Sequence, residues 1–260
     1  MNNILLSFDL EEFDIPEEFG QKLNEEEKIR VTLSGLAPLL ALINKYNIQA
    51  TFYVTAFFAE KNPEIVKQIS EKHEIASHGY YHSSFQVDDI ANSKQVLDTI
   101  TGSSIEGYRM ARLMPFDRSL LQSAGYSYDS SLNPTWLPRR YNNMDKPRAP
   151  YTEDKLVVLP ASVASVFRIP LFWLSFKNLP YFIYKSLAIR ALKKDKYLNI
   201  YFHPWEFTDI SGYKLPFYVK RNSGLKQLIK FEKLLILLKE YGEFCTSKEY
   251  KNYFLKSGTN

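Results

Sequence analysis

Four histidines stand in the 260-residue sequence, at positions 73, 78, 82 and 203. His78 and His82 lie four residues apart in Ser77-His78-Gly79-Tyr80-Tyr81-His82. On a helix that spacing puts both imidazoles on one side, able to share a metal ion. Asp9-Leu10-Glu11 offers a third ligand, because its two carboxylates occupy alternate positions and project to the same side of an extended segment. Two imidazoles and one carboxylate, with water in the remaining positions, make a hydrolytic metal site. His73, among lysines and glutamates, is expected at a solvated helix end; Glu12, Asp14, Glu17 and Glu18 read as solvated loop residues.

The positions of these side chains along the chain carry more than their types. Asp9 follows the apolar run 4–8, His78 follows Glu74–Ser77, Arg109 follows 105–108, Asp129 follows 126–128 and His203 follows Tyr197–Phe202. Further strand-like runs cover 49–54, 155–159 and 243–246. Helical patterns separate them: 31–46 with Leu36, Leu39, Leu40 and Ile43 at spacings of three and four, 63–72 opening on Pro63, 87–100, 116–124 stopped by Gly125, and 224–241 stopped by Gly242. Strands alternating with helices indicate a parallel α/β fold. The expected architecture is one domain over residues 1–260, a distorted (β/α) barrel with about seven or eight parallel strands. In such a barrel the strand ends converge on one face, where reactive groups collect.

Bulk properties exclude several classes. The net charge of +4 comes from scattered lysines and arginines among nearly as many carboxylates, which is no nucleic-acid footprint. A single cysteine, Cys245, allows no intramolecular disulfide. The N-terminus carries no signal-like pattern and no run of about twenty apolar residues exists, so a cytoplasmic location is expected. The aromatic share of 15% fits a Tyr/Phe-rich core as well as a sugar-binding or membrane-facing surface. Much of it lies in residues 160–195, where Phe167, Leu171, Phe172, Trp173, Leu174, Phe176, Leu179, Phe182 and Ile183 gather and Pro170 and Pro180 forbid one continuous helix. This is expected to be an apolar segment covering the barrel; the alternative is a peripheral contact with the inner membrane face, aided by Arg190, Lys193, Lys194 and Lys196.

In this order the motifs resemble the polysaccharide deacetylase superfamily, carbohydrate esterase family 4. Its Thr-Phe-Asp-Asp motif is similar to Ser7-Phe8-Asp9-Leu10-Glu11, its His-(Ser/Thr)-x-x-His to His78-Gly79-Tyr80-Tyr81-His82, and its Arg-x-Pro to Arg109-Met110-Ala111. Tyr126-Ser127-Tyr128-Asp129-Ser130-Ser131 resembles a common segment after the third motif, and Tyr201-Phe202-His203 the final Leu-x-His. The extension Pro204-Trp205-Glu206-Phe207 is like a bacterial subgroup associated with exopolysaccharide biosynthesis. The resemblance implies a metal-dependent hydrolase of carbon–nitrogen bonds that removes an N-acetyl or O-acetyl group from a sugar or polysaccharide precursor, free or lipid-linked. It implies Asp9 as general base held by Arg109, His203 as general acid, and one divalent ion, Zn²⁺ first and Co²⁺, Ni²⁺ or Mn²⁺ otherwise, on His78 and His82. Leu10 stands where the commonest form has its metal-binding Asp, which makes Glu11 the candidate third ligand. Tyr81, Trp205 and Asp129 are candidates for substrate contact, and Asp129 also for the carboxylate behind His203. Two alternatives stay open: a hydrolase of another C–N bond, in a small amide or cyclic imide, and an inactive carbohydrate-binding relative.

Overall fold

The computed structural model describes residues 2–138 and 140–257. Its strands are β1 (Asn3–Leu10), β2 (Thr51–Val54), β3 (Glu74–Ser77), β4 (Gly107–Tyr108), β5 (Tyr128–Asp129), β6 (Trp136–Leu137), β7 (Tyr141–Asn142), β8 (Tyr151–Glu153), β9 (Leu156–Val158), β10 (Tyr197–Phe202) and β11 (Glu243–Cys245). The helices are α1 (Glu25–Lys45), α2 (Ala56–Lys61), α3 (Pro63–Ser70), α4 (Asp89–Thr101), α5 (Ser119–Ser123), α6 (Trp173–Asn178), α7 (Tyr181–Asp195), α8 (Phe217–Lys220), α9 (Leu225–Lys239) and α10 (Ser247–Ser257).

The main sheet runs β10-β1-β2-β3-β4-β5-β9-β8, with β11 also paired to β1. Every pairing is parallel except β8 with β9, so eight strands are parallel and coincide with the eight apolar runs of the sequence. The sheet curls into a half-barrel. Between β9 and β10 no ladder forms; Ser162 N–H donates to the Asn199 carbonyl at 2.8 Å and Asn199 N–H to Ser162 Oγ at 2.9 Å. The short strands β6, β7 and β8 escape the sequence patterns because segments of two or three residues carry no measurable period.

All eight residues of β1 are buried, as a strand covered on both faces requires. Its alternation assigns the faces. Ile4, Leu6, Phe8 and Leu10 pack outward into the layer shared with Leu36, Leu39 and Ile43 of α1 and Phe231 and Leu235 of α9. Leu5, Tyr53, Tyr128 and Tyr197 point inward, and Tyr250 of α10 plugs the bottom. Much of the aromatic content is therefore interior packing. At the top, α1 approaches the turn after β10 so closely that a Cβ on Gly35 would lie 1.9 Å from the Pro204 carbonyl oxygen. Only glycine permits that approach.

Two expectations are corrected here. His73 is buried, 7% exposed, with its ring edge-on to Phe52 and both ring nitrogens without a partner. Its apolar neighbours come from the sheet, which its polar sequence neighbours conceal. Residues 78–82 are not helical; Gly79 takes φ +81° and the loop, not a helix, brings the two imidazoles together. In residues 160–195 Pro180 separates α6 from α7, and Phe172, Phe176, Tyr184, Ala188 and Leu192 are buried. Val166, Phe167 and Phe182 remain exposed. No helix among the described residues is long and apolar enough to cross a membrane.

Candidate metal centre and active site

The parallel register delivers the reactive side chains to one rim. Asp9 pairs in register with Tyr53, Ser7 with Tyr201 and Ser77 with Tyr108, so the residues that follow each strand emerge at the same level. On β1 the inward face carries Ser7 and Asp9, and Glu11 continues it. Leu10 faces the outer core and is 0% exposed. A ligand at position 10 would point away from the imidazoles, whereas one at position 11 points toward them.

Glu11 Oε2 lies 3.2 Å from His78 Nε2 and 3.2 Å from His82 Nε2. These atoms form a cluster within 4.8 Å of one another, and all three residues are buried. Glu11 Oε2 has no hydrogen-bond partner, although both imidazole nitrogens are near. The three donor atoms thus aim at a common point rather than at each other. Ligands about 2.0–2.1 Å from a tetrahedral Zn²⁺ stand roughly 3.3 Å apart, so the observed separations fit such an ion. The outer nitrogens fix the tautomers: His78 Nδ1 is 2.8 Å from the Arg109 carbonyl oxygen and His82 Nδ1 is 2.7 Å from Asp14 Oδ1. With Nδ1 held there, both Nε2 atoms face inward, where a bound ion would take the place of any proton they carry.

Asp9 is held from the other side. Arg109, 1% exposed, donates to Asp9 Oδ1 at 2.6 Å and to Ser7 Oγ at 2.9 Å, with its guanidinium 3.8 Å from the centre of the Tyr53 ring. Burial alone would raise the Asp9 carboxyl, but Arg109, His78 and His203 outweigh it and keep it below the usual carboxylate range. Asp9 Oδ2 remains free of Arg109 and lies 3.8 Å from His203 Nε2. His203 stacks on Trp205 at 4.7 Å and meets Trp173 edge-on at 5.1 Å. Burial would lower both His82 and His203, yet Glu11 and Asp14 push His82 up to about 9, and Glu11, Glu206 and Asp9 raise His203. The centre is short of positive charge.

The structure brings Asp9, Glu11, His78, His82, His203 and Trp205 together around one cleft of about 320 Å³, with Arg109 behind Asp9. It does not bring Asp129 there. Tyr128 points into the barrel, so Asp129 points out of it, where Arg118 Nε donates to it at 2.7 Å and Ser131 N–H at 2.8 Å. The inward residue is the next one, Ser130, whose Oγ accepts from Arg109 at 3.1 Å. Tyr81 is 40% exposed against Phe57 and Tyr80, outside the cleft lining. Behind His203 stands Glu206, whose Oε1 lies 3.3 Å from Nδ1 and accepts the His203 backbone N–H at 2.9 Å. Sequence reasoning missed it, although the i, i+3 spacing across a Pro-initiated turn is the pattern that could have found it. Glu12 and Asp14 are likewise buried rather than solvated: Glu12 accepts from Thr55 Oγ1 at 2.8 Å and from His82 N–H at 3.0 Å.

The model of the polysaccharide deacetylase family matches residues 34–128, a span that includes His78, His82 and Arg109 but not the first strand or His203. No curated protein matches the chain. Among solved structures, a protein of Pseudomonas aeruginosa PAO1 described as a polysaccharide deacetylase is 16% identical, with 98% of this chain and 91% of that one covered at a TM-score of 0.71. One of Mycobacterium smegmatis described in the same way is 17% identical, covering 99% and 91% at 0.68. The allantoinase Puue is 16% identical, covering 97% and 89% at 0.70. At these identities the likeness establishes architecture. The chain has the barrel fold of these solved polysaccharide deacetylases, and the family model matches it over residues 34–128.

Proposed function

We propose that this protein is a metal-dependent deacetylase that hydrolyses an N-acetyl or O-acetyl group on a sugar or polysaccharide precursor. The observation that carries the reading is the buried, unpartnered Glu11 Oε2 set 3.2 Å from two imidazole nitrogens whose tautomers are fixed from behind. A divalent ion held by Glu11, His78 and His82, with Zn²⁺ best suited to this donor set, supplies Lewis acidity to the acyl oxygen and lowers the pKa of water. The remaining chemistry belongs to the chain. Asp9 Oδ2 takes a proton as the water oxygen attacks the acyl carbon, while Arg109 keeps Oδ1 occupied and the carboxylate ionised. His203 Nε2 gives a proton to the leaving nitrogen, without which an amine cannot depart. Acetate and a free amine result. Trp173, half-buried and edge-on to His203, is the ring able to meet an apolar sugar face, whereas Trp205 is buried beneath His203.

Hydrolysis of a small amide or cyclic imide is a second reading. The cleft of about 320 Å³ favours it, being at the small end of the range of roughly 300–1,000 Å³ for ligand pockets. An inactive binding relative would have no use for two separately held proton-transfer groups, Asp9 on Arg109 and His203 on Glu206. Acetate release from N-acetylated oligosaccharides, run beside ammonia or acid release from small amides and cyclic imides, separates these readings. Activity on the amide or imide alone would remove the sugar deacetylase.

The chain is read as one domain acting on a precursor of exopolysaccharide, lipid-linked and met at the inner membrane face. Phe172 and Phe176 are interior and cannot insert. A hairpin offers itself instead: Ala164 N–H donates to the Ile169 carbonyl at 2.8 Å, and Arg168 Nη1 ties the turn to the carbonyls of Pro134 at 3.2 Å and Lys146 at 2.7 Å. Its tip holds Phe167 87% exposed. Co-sedimentation with anionic liposomes that is lost in Phe167→Ser supports this placement; no co-sedimentation by the wild type overturns it.

A further inference from the structure

Beneath His203 lies a second charge with no stated role. Lys177 of α6 is fully buried, its side chain 0% exposed, as is that of Glu206, and the two are 3.5 Å apart at Nζ and Oε2. Lys177 Nζ also donates to the Val219 carbonyl at 3.0 Å. Glu206 Oε2 accepts from Gln227 Nε2 at 3.1 Å, while its Oε1 serves the Nδ1 and the backbone N–H of His203. The ammonium sits 5.6 Å from the Trp173 ring and 5.8 Å from the Trp205 ring, the two rings that wall His203.

A buried ammonium is costly. Burial pulls Lys177 below its usual range, and Glu206 is what opposes that pull. A lysine kept for packing alone would be replaced without loss by methionine of similar shape. What the charge gives is direction. Glu206 has four groups to accept, and the Lys177–Gln227 side holds Oε2, leaving Oε1 to the imidazole. With Nδ1–H pinned there, Nε2 is the nitrogen that faces Asp9 and Glu11, at 3.8 Å from each carboxylate.

We propose that Lys177 is a positioning residue, which acts through Glu206 to fix the tautomer and orientation of His203, and that this is what residues 160–195 contribute to catalysis. The proposal rests on the deacetylase reading for its kinetic consequence, but the ring orientation can be read without activity.

The test uses metal-loaded protein and the variants Lys177→Met, Glu206→Gln and the double variant. Ring nitrogen NMR of the wild type shows the His203 Nδ1–H in one hydrogen-bonded form whether or not Nε2 carries its proton; in Lys177→Met the Nδ1–H form becomes a mixture. Lys177→Met keeps one metal ion per chain and KM within about threefold, while kcat falls about 10–100-fold, the range for an outer partner of a site residue. Because the lysine acts through the carboxylate, the double variant is no worse than Glu206→Gln. Wild-type kcat with an unchanged ring form in Lys177→Met overturns the proposal, and so does an additive loss in the double variant. If Lys177→Met fails to fold, the comparison of Glu206→Gln with the double variant, which carries neither charge, still decides. A wild type inactive on every acetylated sugar removes the function above but leaves the NMR result to judge Lys177.

Discussion

Asp9 and Glu11 sit two residues apart on the same face, yet their surroundings set them to different work. Arg109 saturates one oxygen of Asp9, so that carboxylate keeps its charge and offers only Oδ2. Glu11 Oε2 faces two imidazole nitrogens and nothing else. Asp9→Asn is therefore expected to leave metal affinity largely intact and to reduce kcat by about 10²–10⁴-fold, since an amide cannot accept the proton. Glu11→Gln is expected to weaken metal binding itself. Calorimetric titration paired with acetate release separates the two, and the reverse pattern would exchange their roles. The first strand was legible because alternation in a buried strand is strict. Asp129 was misread by one position for the same reason: the strand end could be seen in Tyr126-Ser127-Tyr128, but not which of its residues faced inward. Asp14 and Lys177 were invisible because their partners are fixed by tertiary contacts far along the chain, while Glu206 stood only three residues from its partner His203.

At the scale of elements, the site depends on how close α1 comes to the turn that carries Trp205 and Glu206. Gly35→Ala would place a methyl 1.9 Å from the Pro204 carbonyl oxygen, so helix or turn must move. The expected outcome is a loss of about 1–3 kcal/mol in denaturant unfolding, as for other overpacked contacts, with a drop in kcat larger than in Gly102→Ala. A Cβ on Gly102 meets nothing within 4 Å, although its φ of +66° makes it a control for backbone strain. Equal effects of the two would show that the contact does not matter. The eight parallel strands and the helices α1, α3, α4, α5 and α9 could be read from sequence because each buries a face against another layer; α7 and α10 were not assigned. The short strands β6, β7 and β8 could not, since their ends are set by loops rather than by periodicity, whereas the break between α6 and α7 falls at Pro180, where the sequence forbids a continuous helix.

For the molecule as a whole, acid stability turns partly on a histidine outside the site. Burial, with Lys72 nearby, pulls His73 down to about 4 from an ordinary value near 6.5. The unfolded chain thus takes up a proton that the folded one refuses, and stability is lost as pH falls from about 6.5 to about 4. The loss is on the order of 2–3 kcal/mol, and His73→Leu is expected to flatten the unfolding free energy across that window. An unchanged pH slope in the variant would show that His73 is not the group responsible. The outer layer excludes water from His73 and the barrel interior keeps Arg109 and Asp9 dry, so the charge pair at the site is strong for the reason that an unpaired charge elsewhere is costly.

The central claim is that Glu11, His78 and His82 hold one divalent ion. Isothermal titration of metal-stripped protein with Zn²⁺, alongside His78→Ala and elemental analysis of protein as purified, tests it most directly. One ion per chain is expected in the wild type, and in His78→Ala a loss of binding with the fold retained by circular dichroism. Wild-type protein that takes up no Zn²⁺, Co²⁺, Ni²⁺ or Mn²⁺, or a His78→Ala variant that binds as the wild type does, would contradict it.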